Sequence, residues 1–343
     1  MRPSPASESA VLPAASHPHP HPHPHFRAPA PPPSLSPGRT ATLTLLAMLA
    51  FAGNSLLCRI ALAQTDIDAA SFTSLRLGSG AVVLALLVLW RGRSSQRASG
   101  LGAANRAQAT RPWQAGSWLS ALALFVYAAG FSFAYVSLTA ATGALLLFGV
   151  VQTSMIGWGL SRGERLQLLQ WLGLLAASAG LVWLLLPGLA APSLSAGALM
   201  ASAGVAWAVY TLRGRGAGAS GIAQDATTVT AGNFLRAAPL ALGTSALLWP
   251  LARWDAQGAL LALASGALAS GLGYAIWYTA LRGLSATRAA IVQLTVPALA
   301  TAGGVLMLGE PLTPHLLGAS AAVLGGVALV ILARPGLGAA HRR

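Results

Sequence analysis

The chain has 343 residues, 55% hydrophobic and only 8% charged, with a mean hydropathy of +0.64. A soluble domain carries about 25% charged residues to solvate its surface, so this composition excludes a water-soluble globular protein. It indicates a membrane protein long enough for two units. The net charge of +14 arises from 21 arginines against seven acidic residues. They lie mostly in short loops between apolar runs, which is the pattern of a topology signal rather than of a nucleic-acid surface.

Residues 1–39 differ in kind. They are rich in proline, alanine and serine and contain "HPHPHPHPH" from His17 to His25. Proline at alternate positions prevents a regular helix or ladder, so a disordered, extended tail is expected. No ordered geometry is set for its histidines, so neither a metal site nor a cofactor is expected. The tail has no apolar stretch resembling a cleavable signal, and the first membrane helix is expected to serve as targeting signal. The single cysteine, Cys58, excludes an intrachain disulfide.

Apolar runs of about 20 residues, the length needed to cross hydrocarbon, fall at 40–63, 69–90, 114–137, 141–160, 166–187, 194–212, 227–249, 257–281, 286–308 and 314–333. With a cytoplasmic N-terminus, 17 arginines fall in inside segments and only Arg253 in an outside loop. That bias supports an even span count and two cytoplasmic termini in a cell inner (plasma) membrane. Trp90, Trp113, Trp158 and Trp171 fall near inner boundaries, and Trp183 and Trp249 near outer ones, as an aromatic belt requires.

The chain is written twice. "SRGERLQLLQWLGLLAASAGLVWLLLPG" aligns with "MLGEPLTPHLLGASAAVLGGVALVILARPG". Glu164 then pairs with Glu310, Gly180 with Gly326, and Ala140 with Ala286. "TSLRLGSGAVVL" aligns with "GNFLRAAPLALG", pairing Arg76 with Arg236. The predicted organisation is a tail at 1–39, repeats at 40–188 and 194–335, and a short basic tail at 336–343. Five spans per repeat is an odd number, so the halves insert in opposite directions, a recurring plan of secondary transporters. The repeat ends "GVVQTSMIGWGLSRGERL" and "AAIVQLTVPALATAGGVLMLGEPLTPHLLGASAAVLGGVALVIL" resemble the EamA repeat of the drug/metabolite transporter superfamily. "FAGNSLLCRIAL" and "AWAVYTLRGR" resemble the opening helices of the two copies. The resemblance implies an all-α, ten-helix carrier of small metabolites such as amino acids. Pro297 in the second copy departs from the first, where Gln152, Thr153 and Ser154 stand nearby.

Ionisable groups inside a bilayer are expensive and mark candidate sites. Arg76 lies about two turns into the second span. Its fork of donors suits a carboxylate or phosphate, although snorkelling or bonding to carbonyls is the alternative. Arg236 takes the matching depth in the seventh span, and the structural alternative weighs more there. Arg59, nearer a span end, is expected to snorkel. Asn54, Gln152 and Gln293 fall within spans, as substrate contacts or as ties between helices. Trp207 with Tyr210, and Tyr274 with Trp277 and Tyr278, share helix faces. They line a pocket or join the belt near the inner boundary. Pro239 and Pro297 interrupt span interiors and can kink them. Glu310, followed by Pro311 and Pro314, suits the start of the tenth helix, where the helix dipole favours a carboxylate. Glu164 and Glu310 are therefore read as structural or gating groups.

No enzyme constellation is present, and no Asp or Glu falls mid-span for a proton relay. The resulting expectation is a secondary transporter, monomeric or homodimeric in the lipid bilayer, whose halves rock about a midplane site. It carries a small anion-bearing molecule, most simply by efflux, with a coupling proton or cation and no nucleic-acid partner. A sensor or scaffold on the same helices is the alternative.

Overall fold

The computed structural model describes residues 35–99, 112–163, 165–186, 193–217, 225–284 and 286–333. Of the expected tail at 1–39, residues 1–34 lie outside the described residues, as do the tail at 336–343 and Glu164, while residues 37–39 already belong to the first helix. From Leu35 onward the chain forms one compact unit.

Among the described residues, ten helical spans match the ten predicted runs. They are α1 (Pro37–Gln64), α2 (Ala69–Ser99), α3 (Trp118–Tyr135), α4 (Ala140–Ser161), α5 (Leu168–Leu185), α6 (Leu194–Ala217), α7 (Ala226–Leu247), α8 (Ala256–Ala280), α9 (Ala286–Leu308) and α10 (Pro314–Leu332). Nine are long and apolar enough to cross a membrane among the described residues. The tenth, α7, is made more polar by four threonines, Asn233 and Arg236. Side chains begin several helices by accepting an orphan N–H of the first turn. Ser117 Oγ accepts from Ser120 N, Thr139 Oγ1 from Thr142 N, Asp255 Oδ1 from Gly258 N, and Thr313 Oγ1 from Leu316 N. Gln167 and Gln170 form a capping box on α5.

An even number of spans puts the start of α1 and the end of α10 at one end of the bundle, the terminal end. The α1–α2, α3–α4, α5–α6, α7–α8 and α9–α10 turns share the far end. Asp68, at the start of α2, ties two of these turns together. Its Oδ1 accepts from Ala70 N and Ser71 N, each at 2.9 Å, and its Oδ2 accepts from Arg253 N at 3.0 Å. Partial burial alone would raise this carboxyl's pKa. Hydrogen bonds from Ser71, Arg253 and Ala70 outweigh burial and hold it below its ordinary value.

The packing partners follow the inverted repeat. α1 packs on α8 as α6 packs on α3, α1 on α9 as α6 on α4, and α2 on α8 as α7 on α3. The pairs α2–α7, α4–α9 and α5–α10 each join equivalent helices. The two repeats therefore interleave, and most helices lie against a helix of the other half. The two halves are thus not separately packed bodies. At the α5–α10 crossing, Cβ atoms on Gly173 and Gly326 would meet each other's backbone, the close approach small residues permit in membranes.

Two spans depart from regular α-helix. In α8, Ser265–Leu272 is π-helical, a form that is rare and frequent at functional sites. It brings Gly266 so close to α2 that a Cβ would collide with Ser79 and the Arg76 carbonyl. In α9 the α-helix is broken between Gln293 and Thr295. Pro297 has no N–H to give the Gln293 carbonyl four residues back, which accounts for a break there. Pro239 lies inside an unbroken α7.

Candidate functional site

A central cavity lies where helices of both repeats meet. Phe51, Asn54 and Ser55 of α1, Tyr127 and Phe131 of α3, and Leu147 and Phe148 of α4 line it, with Trp207 of α6, Ala269 and Tyr274 of α8, and Gln293 of α9. The space between these atoms is about 420 Å³, most of it too narrow for water. The cavity is thus narrow. A larger groove of about 1220 Å³ opens between α2, α7 and α8, among residues such as Val82, Leu242 and Trp249. Its lining is almost wholly apolar, whereas the central cavity has converging polar groups in an aromatic frame, the usual mark of a ligand site.

The rings pack against one another. Trp207 lies 4.7 Å from Tyr127, 5.3 Å from Tyr274 and 5.4 Å from Tyr210, between centroids. Trp207 and Tyr274 wall the cavity, while Tyr210 and Trp277 are buried beside it. This packing corrects the belt reading of these aromatics. The predicted belt tryptophans Trp90, Trp113, Trp158, Trp171, Trp183 and Trp249 are exposed on the bundle surface.

Arg76 is only 1% exposed and stands behind the aromatic wall. Its Nη2 donates to the Tyr127 hydroxyl at 3.1 Å and its Nε to Ser270 Oγ at 3.3 Å. Its guanidinium carbon lies 4.8 Å from the Phe131 ring centre and 5.2 Å from that of Tyr127. Nη1 is buried without a partner. A buried cation with an unused donor is costly. The π segment supplies Ser270 to Arg76 and turns Ser265 toward α1, where its Oγ donates to Asn54 Oδ1 at 2.7 Å.

The structure gathers Asn54, Trp207, Tyr274 and Gln293 on the cavity wall, with Arg76 and Tyr210 directly behind it. Tyr278 packs on the core beside this group. Gln152 is buried in α4 but does not line the cavity. Arg236 turns to the terminal end, where its Nη1 donates to the Ala115 and Gly232 carbonyls and its Nη2 to that of Trp113. It holds the segment before α3 in place, the structural alternative raised for it. Sequence reasoning missed Tyr127, Phe131, Phe51, Phe148 and Ser270. Tyr127, Phe131 and Tyr135 recur at every fourth residue of α3, a face the sequence displays; the π segment leaves no such mark.

Glu310 does not sit at the start of α10, which Thr313 caps. Its carboxylate instead accepts the first N–H of α4, from Ala140, at 2.8 and 3.0 Å. Arg59 does not snorkel. Its Nε donates to Glu310 Oε1 at 3.2 Å, and its Nη1 donates to the Tyr135 and Val136 carbonyls at 3.0 and 3.2 Å.

Known proteins give this architecture a context. Residues 194–332 match the model of the EamA-like transporter family. An uncharacterized protein of Pseudomonas aeruginosa is 53% identical over 298 residues, 87% of this chain and 96% of that one. The threonine/homoserine exporter RhtA of Escherichia coli is 34% identical over 146 residues, 42% of this chain and 48% of the exporter. A solved crystal structure shares the fold with a TM-score of 0.57 at 21% identity, over 86% of this chain and 98% of that one. The chain therefore belongs to the EamA-like transporter family, as a multi-pass, EamA-type member of the drug/metabolite transporter superfamily.

Proposed function

We propose that this protein is a secondary carrier that exports small, anion-bearing metabolites, amino acids or close relatives, across the inner membrane by alternating access. The observation that carries the substrate class is Arg76, fully buried beside the cavity with Nη1 unpartnered. A substrate carboxylate would take that donor and displace the Tyr127 hydroxyl from its neighbour, while Asn54 and Gln293 read the remaining polar groups and the rings exclude water. Export is favoured by the likeness to RhtA over 146 residues. The arginine bias between loops favours cytoplasmic termini, so the terminal end would open toward the cytoplasm and the far end outward. A proton or cation gradient drives the cycle in this reading.

The test is counterflow in proteoliposomes holding the full chain, with a panel of small amino and hydroxy acids and their decarboxylated analogues. Saturable exchange of the acids alone, in the presence of an imposed proton or sodium gradient, is expected. Equal exchange of the decarboxylated analogues would refute the assignment of an anionic substrate, and no exchange of any compound would favour a sensor or scaffold.

A further inference from the structure

We infer that Arg59, Glu310 and the first N–H of α4 form a latch that closes the far-end mouth of the central cavity, and that breaking it opens the path past Cys58. The inference rests on the alternating-access reading above. Three separate parts of the chain meet at the latch. Glu310 comes from the α9–α10 turn, Arg59 from the last turns of α1, and Ala140 from the start of α4. Arg59 also holds the last carbonyls of α3, those of Tyr135 and Val136. One carboxylate thus receives an N–H of α4 on both oxygens and a guanidinium N–H on one. It does so almost out of water, its side chain 9% exposed and that of Arg59 18%. The helix dipole of α4 adds to the attraction. Gly304 leaves room for it, since a Cβ there would press on Glu310 Oε2.

Beneath the latch lies a plug, and beneath the plug lies the cavity. Tyr135 is fully buried, its hydroxyl donates to the Ala140 carbonyl at 3.3 Å, and its ring meets that of Phe131 at 4.7 Å. Phe131 is itself a cavity residue. On α1 the order is the same: Asn54 and Ser55 at the cavity, Cys58 one turn on, then Arg59 at the latch. Cys58 is wholly buried and is the only cysteine in the chain. A substrate leaving the cavity at this end must separate α1 from the α3–α4 turn, and Arg59 and Glu310 are the groups that join them. The α3–α4 turn belongs to the first repeat and the α9–α10 turn to the second, so the latch couples the two interleaved halves at one mouth.

The native cysteine reports the opening. Full-length protein in proteoliposomes is treated with a membrane-impermeant maleimide and the labelling of Cys58 is followed over time. The wild type is expected to react slowly, Glu310→Gln faster, and Glu310→Ala faster still, by about tenfold over wild type, equivalent to ~1.4 kcal/mol of opening free energy. Arg39→Gln, exposed at the start of α1 at the opposite end, is expected to leave the rate unchanged. If Glu310→Ala yields no folded protein, Glu310→Gln and Arg59→Gln carry the comparison, because both keep a polar side chain at the mouth. Equal rates in wild type and the latch variants would overturn the latch, as would an equal rise in Arg39→Gln, which would mean general loosening. Labelling needs no transported compound, so a latch that fails here leaves the carrier reading standing, and a failed flux assay leaves this result readable.

Discussion

The two intramembrane arginines occupy matching places in the inverted repeat, yet the structure assigns them opposite consequences on substitution. Consider Arg76→Met and Arg236→Met, which remove the charge and keep the stem. At Arg76 the change loses two hydrogen bonds from a charged donor, about 1.5–3 kcal/mol each, and ring contacts of about 0.5–2 kcal/mol. It also removes the burial cost of a guanidinium, several kcal/mol even after relaxation, and an unpaired donor costing about 1–3 kcal/mol. The two sides nearly cancel, so stability should change by no more than about 2 kcal/mol, while flux collapses. At Arg236 three bonds to carbonyls are lost at a partly exposed site. There is little burial cost to recover, and water replaces part of the loss, leaving about 2–4 kcal/mol of destabilisation. Flux per folded molecule should persist. Thermal unfolding in detergent, with initial flux normalised to folded protein, gives both numbers. Greater destabilisation by Arg76→Met than by Arg236→Met, or transport by Arg76→Met at the wild-type rate, would refute these assignments.

Three further outcomes follow from the packing. Gly326→Leu should separate α5 from α10, because even a Cβ there meets the Gly173 carbonyl and Ala177; a loss of about 3 kcal/mol or more is expected in thermal unfolding. Asp68→Ala should cost about 1 kcal/mol near neutral pH. Its folded pKa is depressed, so that contribution is present above the unfolded value of about 3.9 and vanishes as pH falls through the folded one; unfolding curves of both proteins should therefore converge in acid. Pro297→Ala restores an N–H for the Gln293 carbonyl and straightens α9, so substrate turnover in proteoliposomes should slow while thermal stability holds or rises.

Much of this architecture was legible because hydrocarbon demands long apolar runs, and ten such runs can be counted along the chain. The repeat was equally legible, through the Glu164–Glu310 and Ala140–Ala286 pairs. What pairing could not convey is that Glu310 lies on Ala140 itself. A repeat records equivalence, not contact, and interleaving of the halves leaves no local trace. The aromatics show a second limit. Trp207 and Tyr274 could be assigned to shared helix faces with their neighbours, but helices that are apolar all round have no polar face to tell inward from outward. Arg76 escaped that limit because a charge must find shelter from lipid. The π segment of α8 was invisible, since "SGALASGL" reads as ordinary small-residue packing, and with it went the part played by Ser270.

In the function proposed above, Arg76 receives the carboxylate of the transported molecule. The most direct measurement compares a transported amino acid with its neutral amide, in wild type and in Arg76→Met, by competition for flux in proteoliposomes. Wild type is expected to prefer the acid by about tenfold or more, ~1.4 kcal/mol, and Arg76→Met to bind the two alike. A preference that survives intact in Arg76→Met would contradict it.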